Sequence, residues 1–178
     1  MTRSRLVALA AIGAVAGTLA EGLHLRTGVW ALSDAGAFPW WIAAVYFFGF
    51  LGFGLALRRF GPPLEVRPGR LGLELAAFAA LLLAPSAMPE QELAMTALAT
   101  GWVALRLVAF RAPGDVPLAL GAAAANLAIE WPLVALVGLY RYPSAHFLAV
   151  PLWLFPFWAG LGLGLRRFFS AAAGTGGR

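Results

Sequence analysis

The feature that most constrains this chain is a series of apolar stretches, each long enough to cross a lipid bilayer as a helix. A spanning helix needs about 20 mostly apolar residues. Six segments come close to that length: roughly 6–25, 38–57, 71–88, 93–110, 116–138 and 147–165. The separators are short and rich in proline and glycine, so they leave no room for a second domain. We therefore predict a single all-α integral membrane domain over residues 1–178, built as a six-transmembrane-helix bundle.

The composition agrees with this prediction and excludes several classes of protein. Hydrophobic residues make up 61% of the chain and charged residues only 12%, whereas a soluble domain carries about a quarter charged residues. The absence of cysteine excludes a disulfide scaffold and a thiolate metal site. The sequence has no metal-binding histidine spacing, no serine–histidine–aspartate set and no phosphate-binding glycine loop. We expect a protein that is not an enzyme and that uses no metal or cofactor.

The arginines predict the orientation of the helices in the membrane. The 13 basic residues are all arginine, and if six helices alternate, only Arg26 and Arg141 fall on one side, while Arg106 lies just inside the fourth helix. The remaining arginines fall on the opposite side. The net charge of +5 therefore indicates membrane topology rather than nucleic-acid binding. By the positive-inside rule, we expect a multi-pass protein of the inner cell membrane with both termini cytoplasmic.

The first two helices resemble the last two in sequence. Residues 52–60 read GFGLALRRF and residues 160–168 read GLGLGLRRF, and about thirty residues before each block lies a glutamate, Glu21 or Glu130. Glycines and aromatic residues occupy corresponding places in between: Gly28 and Trp30, then Gly138 and Tyr140. Such a parallel repeat predicts a pseudo-twofold axis along the membrane normal, although apolar sequence of low complexity also matches itself by chance. The repeat requires that the first helix is retained rather than cleaved as a signal peptide.

Ionisable residues inside membrane helices are the strongest functional candidates, because each is costly unless it is paired or hydrated. Glu21 and Glu130 both continue stripes of small residues, so we expect their carboxylates to face the interior of the bundle. We predict that they form the polar end of an intramembrane cavity that binds the head of an amphiphile. The predicted lipid contacts are Glu21, His24, Asn126, Glu130, Trp131 and Tyr140. Two alternatives stay open: hydrogen-bonding glue between helices, and a catalytic acid–base pair.

Four stretches of the sequence resemble the insulin-induced gene (INSIG) family of six-helix membrane proteins. The most specific stretch combines aromatic, serine and leucine positions after the fifth helix: Gly138, Tyr140, Tyr142, Ser144, Phe147, Leu148, Trp153 and Leu154, before a glycine-rich last helix ending at Arg166. The other stretches are Arg5–Gly13, Pro39–Ile42 and Gln91–Phe110. The resemblance covers nearly the whole chain, from about residue 5 to 168.

The resemblance implies a six-helix scaffold with a lipid-sized cavity and a diacylglycerol-like or sterol-like ligand. Eukaryotic members bind an oxysterol and act on Scap and HMG-CoA reductase. This chain has Arg111-Ala112 where the family has an acidic residue important for Scap, and Leu82-Leu83-Ala84 where it has Asn-His-Ala. The composition is typical of a prokaryotic protein, in which those partners are not expected. We expect membrane lipid as a partner, a homo-oligomer, an unidentified membrane-protein partner and no nucleic acid.

The favoured function is therefore a lipid-sensing or regulatory membrane scaffold. The alternative is an intramembrane enzyme acting on polyprenoid or carotenoid lipids, in which Glu21 or Glu130 protonates a double bond. Trp30 and Tyr140 would then stabilise the resulting cation through their ring faces. A proton-coupled transporter is less favoured, because two buried acids on short helices offer little for a conformational switch.

Overall fold

The structure, a computed structural model, describes residues 2–33, 39–60, 64, 68–145 and 148–174, and within these ranges the chain forms six long helices. They are α1 (Arg3–Thr27), α2 (Trp41–Phe60), α3 (Pro68–Ala87), α4 (Glu92–Ala109), α5 (Asp115–Trp131) and α6 (Leu154–Gly174). The predicted all-α, six-helix fold is confirmed. Phe147 of the INSIG-like stretch lies outside the described residues, as do Arg67 and Arg178, two of the arginines that predict the topology.

The sixth helix is displaced from its predicted position. It begins at Leu154 rather than near residue 147, and it continues to Gly174. The backbone of Leu148 and Ala149 has positive φ angles of 50° and 62°, and Pro151 lacks the N–H that a helix interior requires. These residues form a turn that delays the helix, a feature that apolar composition alone does not reveal.

Four segments of the described chain are long and apolar enough to cross a bilayer: Arg3–Thr27, Trp41–Arg59, Glu92–Ala109 and Asp115–Leu136. The helix α3 adds a shorter apolar stretch, Leu71–Ala87. The helix α6 differs, because it contacts α2, α3, α4 and α5 and occupies the interior of the bundle. The chain is thus a membrane-spanning protein in which the last helix forms the core.

The helices associate mainly as two pairs, α1 with α2 and α5 with α6. In both pairs, small residues on one helix make room for atoms of the partner helix. A Cβ atom on Gly13 would lie 2.5 Å from the ring of Phe50 on α2. A Cβ atom on Gly162 of α6 would lie 2.7 Å from the Cβ of Ala122 on α5. The predicted stripes of small residues are therefore contact surfaces between helices.

The two halves of the chain are alike where their first helices end, as the repeat predicts. Gly28 follows α1 and Gly138 follows α5, and both have positive φ angles, 79° and 65°. Two short strands come next, β1 (Ala31–Leu32) and β2 (Tyr140–Arg141), and they pair in antiparallel fashion. The register places Ala31 opposite Arg141. The distance along the chain from Ala31 to Arg141 equals that from Gly28 to Gly138, so these two residues are corresponding positions of the two halves. Corresponding positions therefore face each other, as a local twofold axis requires.

A π-helical turn, Pro132–Leu136, extends α5 and accounts for a difference between the halves. The N–H of Val137 donates to the carbonyl of Pro132 at 2.9 Å, five residues back. Such a turn accommodates one residue more than an α-helical turn. The second half has that extra residue, because Tyr140 is one position further from Glu130 than Trp30 is from Glu21. The insertion is absorbed locally, so the equivalent aromatic residues keep equivalent places.

Three arginines and two acids form a buried ion network among α3, α4, α5 and α6. Arg166 Nη1 lies 2.6 Å from Asp115 Oδ1, and Arg106 Nη1 lies 3.3 Å from Glu74 Oε1. Arg167 joins the two pairs, with Nε 3.2 Å from Glu74 Oε2 and Nη2 3.5 Å from Asp115 Oδ2. All five residues are buried. Arg166 and Arg167, counted from the sequence as topology signals, thus have a structural role in the core.

Replacement of Asp115 by asparagine tests this network. Asp115→Asn leaves Arg166 and Arg167 with one buried carboxylate fewer, and breaking a buried ion pair costs about 3–5 kcal/mol. We expect a clear decrease in the thermal unfolding temperature of the detergent-solubilised protein. The matched control is Glu90→Gln, because Glu90 is exposed between α3 and α4. An Asp115→Asn variant as stable as the control would show that the network contributes nothing to folding.

Candidate functional site

A cavity of about 660 Å³ lies between α2 and α5, and α6 forms its third wall. Its lining is mostly apolar and comes from these three helices: Val45, Phe48 and Phe53 of α2, Ala122, Ala125 and Ile129 of α5, and Trp158, Leu161 and Leu165 of α6. Pockets that enclose a small organic molecule measure roughly 300–1,000 Å³. The cavity is therefore large enough for one such molecule.

The cavity opens at the side of the bundle. Three large apolar residues of its lining are well exposed, namely Val45 at 52%, Phe48 at 67% and Ile129 at 56%. Since Val45 and Phe48 lie on α2 and Ile129 lies on α5, the opening is the gap between these two helices. In a membrane-spanning protein, such an apolar gap faces the lipid chains.

Glu21 contributes one polar group to the cavity. Tyr46 of α2 donates its hydroxyl hydrogen to Glu21 Oε1 at 2.5 Å. Trp30 donates its indole N–H to Glu21 Oε2 at 2.7 Å. The carboxylate is thus held between a helix partner and the segment that leads into β1, which satisfies both of its oxygens.

His24 lies one turn after Glu21 but is directed away from the main cavity. Its Nε2 lies 2.9 Å from the carbonyl oxygen of Leu82 on α3. Because a carbonyl only accepts, Nε2 carries the hydrogen in this contact. The other ring nitrogen, Nδ1, is 3.7 Å from Glu21 Oε2, too far for a hydrogen bond. His24 therefore connects α1 to α3.

Glu130 contributes the second carboxylate, and its two oxygens differ. Oε2 accepts hydrogen bonds from the hydroxyls of Tyr140 and Tyr142, the latter at 3.3 Å. Oε1 has no hydrogen-bond partner within the part of the chain that the structure describes. Asn126 lies one turn before Glu130 on α5, lines the cavity and is only 6% exposed. Its side-chain amide likewise has no partner among the described residues.

Aromatic rings join the two carboxylates into one site. The rings of Trp30 and Tyr140 lie 5.5 Å apart between centroids. Trp30 binds Glu21 and Tyr140 binds Glu130. The ring of Tyr142 packs edge-on against Tyr140 at 5.8 Å. The twofold relationship of β1 and β2 therefore brings both glutamates to the same end of the cavity.

The hydroxyls of Tyr140 and Tyr142 act as donors. Burial, and then the charge of Glu130, raise the pKa of each hydroxyl well above its usual value near 10. Both hydroxyls therefore keep their hydrogens at neutral pH, and both hydrogens are directed at Glu130 Oε2.

Four of the predicted lipid contacts line this cavity: Glu21, Asn126, Glu130 and Tyr140. His24 instead lines a separate space of about 20 Å³ behind Glu21. Trp131 is not part of the lining and is 36% exposed, because neighbouring residues on a helix point about 100° apart. Whether any of the six residues contacts a lipid stays a prediction.

Tyr46, Tyr142 and Trp30 were not among the predicted contacts, although all three belong to the site. Tyr46 carries the only hydroxyl group in α2, and it faces the small-residue stripe of α1 that ends at Glu21. A lone hydroxyl in an apolar helix, opposite a glutamate on the neighbouring helix, is the signal that identifies it. Trp30 and Tyr142 flank the turns, where aromatic residues are also expected as an interfacial belt.

A substitution at Gly17 tests how Tyr46 is positioned. A Cβ atom on Gly17 would lie 2.6 Å from the Tyr46 ring, so Gly17→Ala forces the ring and its hydroxyl away from Glu21. Overpacking of this kind costs about 1–3 kcal/mol, and we expect a lower unfolding temperature in detergent. Gly101→Ala on α4 is the control, because nothing lies within 4 Å of the added atom. Equal stability of the two variants would contradict the close contact.

An alkaline titration tests the environment of Tyr140 and Tyr142. In a Tyr46→Phe variant these are the two remaining tyrosines. Because their folded-state pKa values are raised, we expect no tyrosinate absorbance as the pH of the folded protein passes 10. The unfolded chain releases these protons near pH 10, so the stability that is present below this pH is lost as the pH rises further. A tyrosinate signal near pH 10 in the folded variant would refute the burial of both hydroxyls.

The chain resembles known proteins at the level of the fold. No protein-family profile matches the sequence, and no curated protein matches it. Two solved structures match: a mycobacterial Insig homolog, MvINS from Mycobacterium vanbaalenii, and a cross-linked trimer of an MvINS variant. Each superposes with a TM-score of 0.84 at 18% sequence identity, covering 100% of this chain and 98% of the other. The chain therefore has the fold of an Insig homologue, which confirms at the level of the fold the resemblance found in the sequence.

Proposed function

We propose that the chain binds one membrane amphiphile per protomer in the cavity between α2 and α5 and acts as a lipid-sensing or regulatory scaffold. The observation that carries this proposal is the cavity's asymmetry. Its side opening is bordered by apolar residues, among them Val45 and Ile129, whereas its polar groups gather around Glu21 and Glu130. An amphiphile has the same division between tail and head.

The tail of the ligand lies in the apolar part of the cavity, against α2, α5 and α6. Transfer of a tail from the bilayer into this space contributes little free energy, because lipid chains already surround it. Selectivity therefore comes from the shape of the cavity and from the head group. A diacylglycerol-like or sterol-like molecule presents a hydroxyl, which donates to Glu130 Oε1 and exchanges hydrogen bonds with Asn126.

We also propose a homo-oligomer in the inner cell membrane with both termini cytoplasmic. The distribution of the arginines supports this orientation. MvINS, which has the same fold, has been crystallised as a cross-linked trimer. A scaffold of this kind acts through a further membrane-protein partner, whose binding depends on whether the cavity is occupied.

Native mass spectrometry of the detergent-purified protein tests the binding proposal. We expect one retained amphiphile per protomer in the wild type. Ala125→Phe places a ring in the cavity and should remove the retained amphiphile, whereas Ala124→Phe is the matched control because Ala124 is exposed and outside the lining. Glu130→Gln should weaken retention, since an amide replaces the carboxyl group that accepts from the head group.

Two results would contradict the proposal. One is the absence of a stoichiometric amphiphile in the wild type, which would leave the glutamates as hydrogen-bonding glue between helices. The other is equal retention by Ala125→Phe and Ala124→Phe, which would place the bound lipid on the outer surface of the bundle.

A further inference from the structure

The polar end of the cavity carries acidic groups without matching basic ones. Glu21 and Glu130 both line it, and no arginine or histidine occurs among its described lining residues. Two other buried acids differ, because Glu74 and Asp115 each lie within 4.0 Å of arginine nitrogens. Glu130 has no such partner among the described residues, so no basic side chain of the described chain matches its carboxyl group.

Two acceptor atoms at this end are open. Glu130 Oε1 has no hydrogen bond within the described chain, and the amide of Asn126, one turn away, has none either. Asn126 is 6% exposed and lines the cavity. A polar group that faces an apolar cavity without a partner is costly, so a hydrogen-bond donor in the cavity is favoured. Both open groups lie on the same face of α5.

Three aromatic residues line the same end of the cavity. Trp30, Tyr140 and Tyr142 form a continuous set, with ring centroids 5.5 Å and 5.8 Å apart along the series. The face of an aromatic ring attracts a cation, and aromatic cages with nearby carboxylates are suited to ammonium groups. The rings and the carboxylates therefore favour the same type of head group.

We propose that this cavity binds long-chain amines, with the ammonium group held by Glu130 and Asn126 between the aromatic rings, in preference to uncharged alcohols of the same length. The inference rests on the proposed function, since the tail occupies the same space between α2 and α5. It adds that the site holds an ammonium head group more tightly than the hydroxyl of a neutral amphiphile. Long-chain carboxylates and phosphates are excluded, because the described lining offers their head groups two acidic residues and no basic one.

The chemistry of the ammonium group matches the open atoms. An ammonium group has three hydrogens to donate and no lone pair, so it satisfies Glu130 Oε1 and the Asn126 carbonyl oxygen together. An alcohol has one hydrogen to donate, so it donates to only one of these two oxygens and engages Asn126 as an acceptor of an amide hydrogen. If a neutral amine meets a protonated Glu130, the proton passes from the carboxyl to the nitrogen, and the product is the same ammonium–carboxylate pair. Exclusion of water strengthens the attraction within the pair.

Three probes with the same tail test the proposal: dodecylamine, dodecanol and dodecanoate. Their binding is followed by the fluorescence of the tryptophans that line the cavity, with the protein in a neutral maltoside detergent. We expect dodecylamine to bind about tenfold more tightly than dodecanol, because a hydrogen bond to a charged group is stronger than one between neutral groups. Dodecanoate should not bind. A comparison of Ala125→Phe with the control Ala124→Phe distinguishes binding in the cavity from partition into the micelle.

The decisive variant is Glu130→Gln, in which we expect the preference for dodecylamine over dodecanol to disappear. Asn126→Leu supplies a second test with a similar side-chain volume, and it should also reduce the preference. Equal affinities of the wild type for dodecylamine and dodecanol would overturn the inference and leave the proposed function intact. A preference that persists in Glu130→Gln would overturn it as well. If none of the probes binds in the cavity, the inference and the proposed function both fail.

Discussion

Two carboxylates lie inside a bundle of membrane-spanning helices, and their need for hydrogen-bond donors determines how the two halves of the chain meet. Glu21 is bound by Trp30, and Glu130 is bound by Tyr140. Both donors lie at the paired strands that follow the first helix of each half, where Ala31 faces Arg141. An unsatisfied carboxylate in a bilayer is costly. Satisfying both glutamates therefore also fixes the strand register and places both acids at one end of the same cavity.

The acidic residues inside the bundle have two different kinds of partner. Glu74 and Asp115 are enclosed by arginines, so the charges at that place are matched and the helices α3 to α6 are held together. Glu130 is bound only by neutral hydroxyls and keeps one oxygen open beside Asn126. The first arrangement stabilises the fold, whereas the second is suited to binding a ligand. The same contrast separates the closed packing around α6 from the gap between α2 and α5.

Much of this arrangement follows from the sequence, and the exceptions have physical reasons. The six helices, the repeated halves and the inward direction of Glu21 and Glu130 follow from apolar length and small-residue spacing. The start of α6 does not, because its delay depends on backbone angles at Leu148 and Ala149. Trp131 adjoins Glu130 in sequence but points elsewhere around the helix. Arg166 marks a helix end by its position, yet its ion pair with Asp115 requires a packed partner helix.

The most direct test of the account is photo-crosslinking with a long-chain alcohol that carries a diazirine in the middle of its tail, followed by peptide mapping. The account predicts labelling on the cavity faces of α2 and α5, around Phe48 and Ala125. It predicts little labelling at Val108 of α4, which is 86% exposed on the outer surface but lies outside the cavity lining. Equal labelling of α4 and of the cavity faces would show that the chain contacts lipid only from outside and would contradict the account.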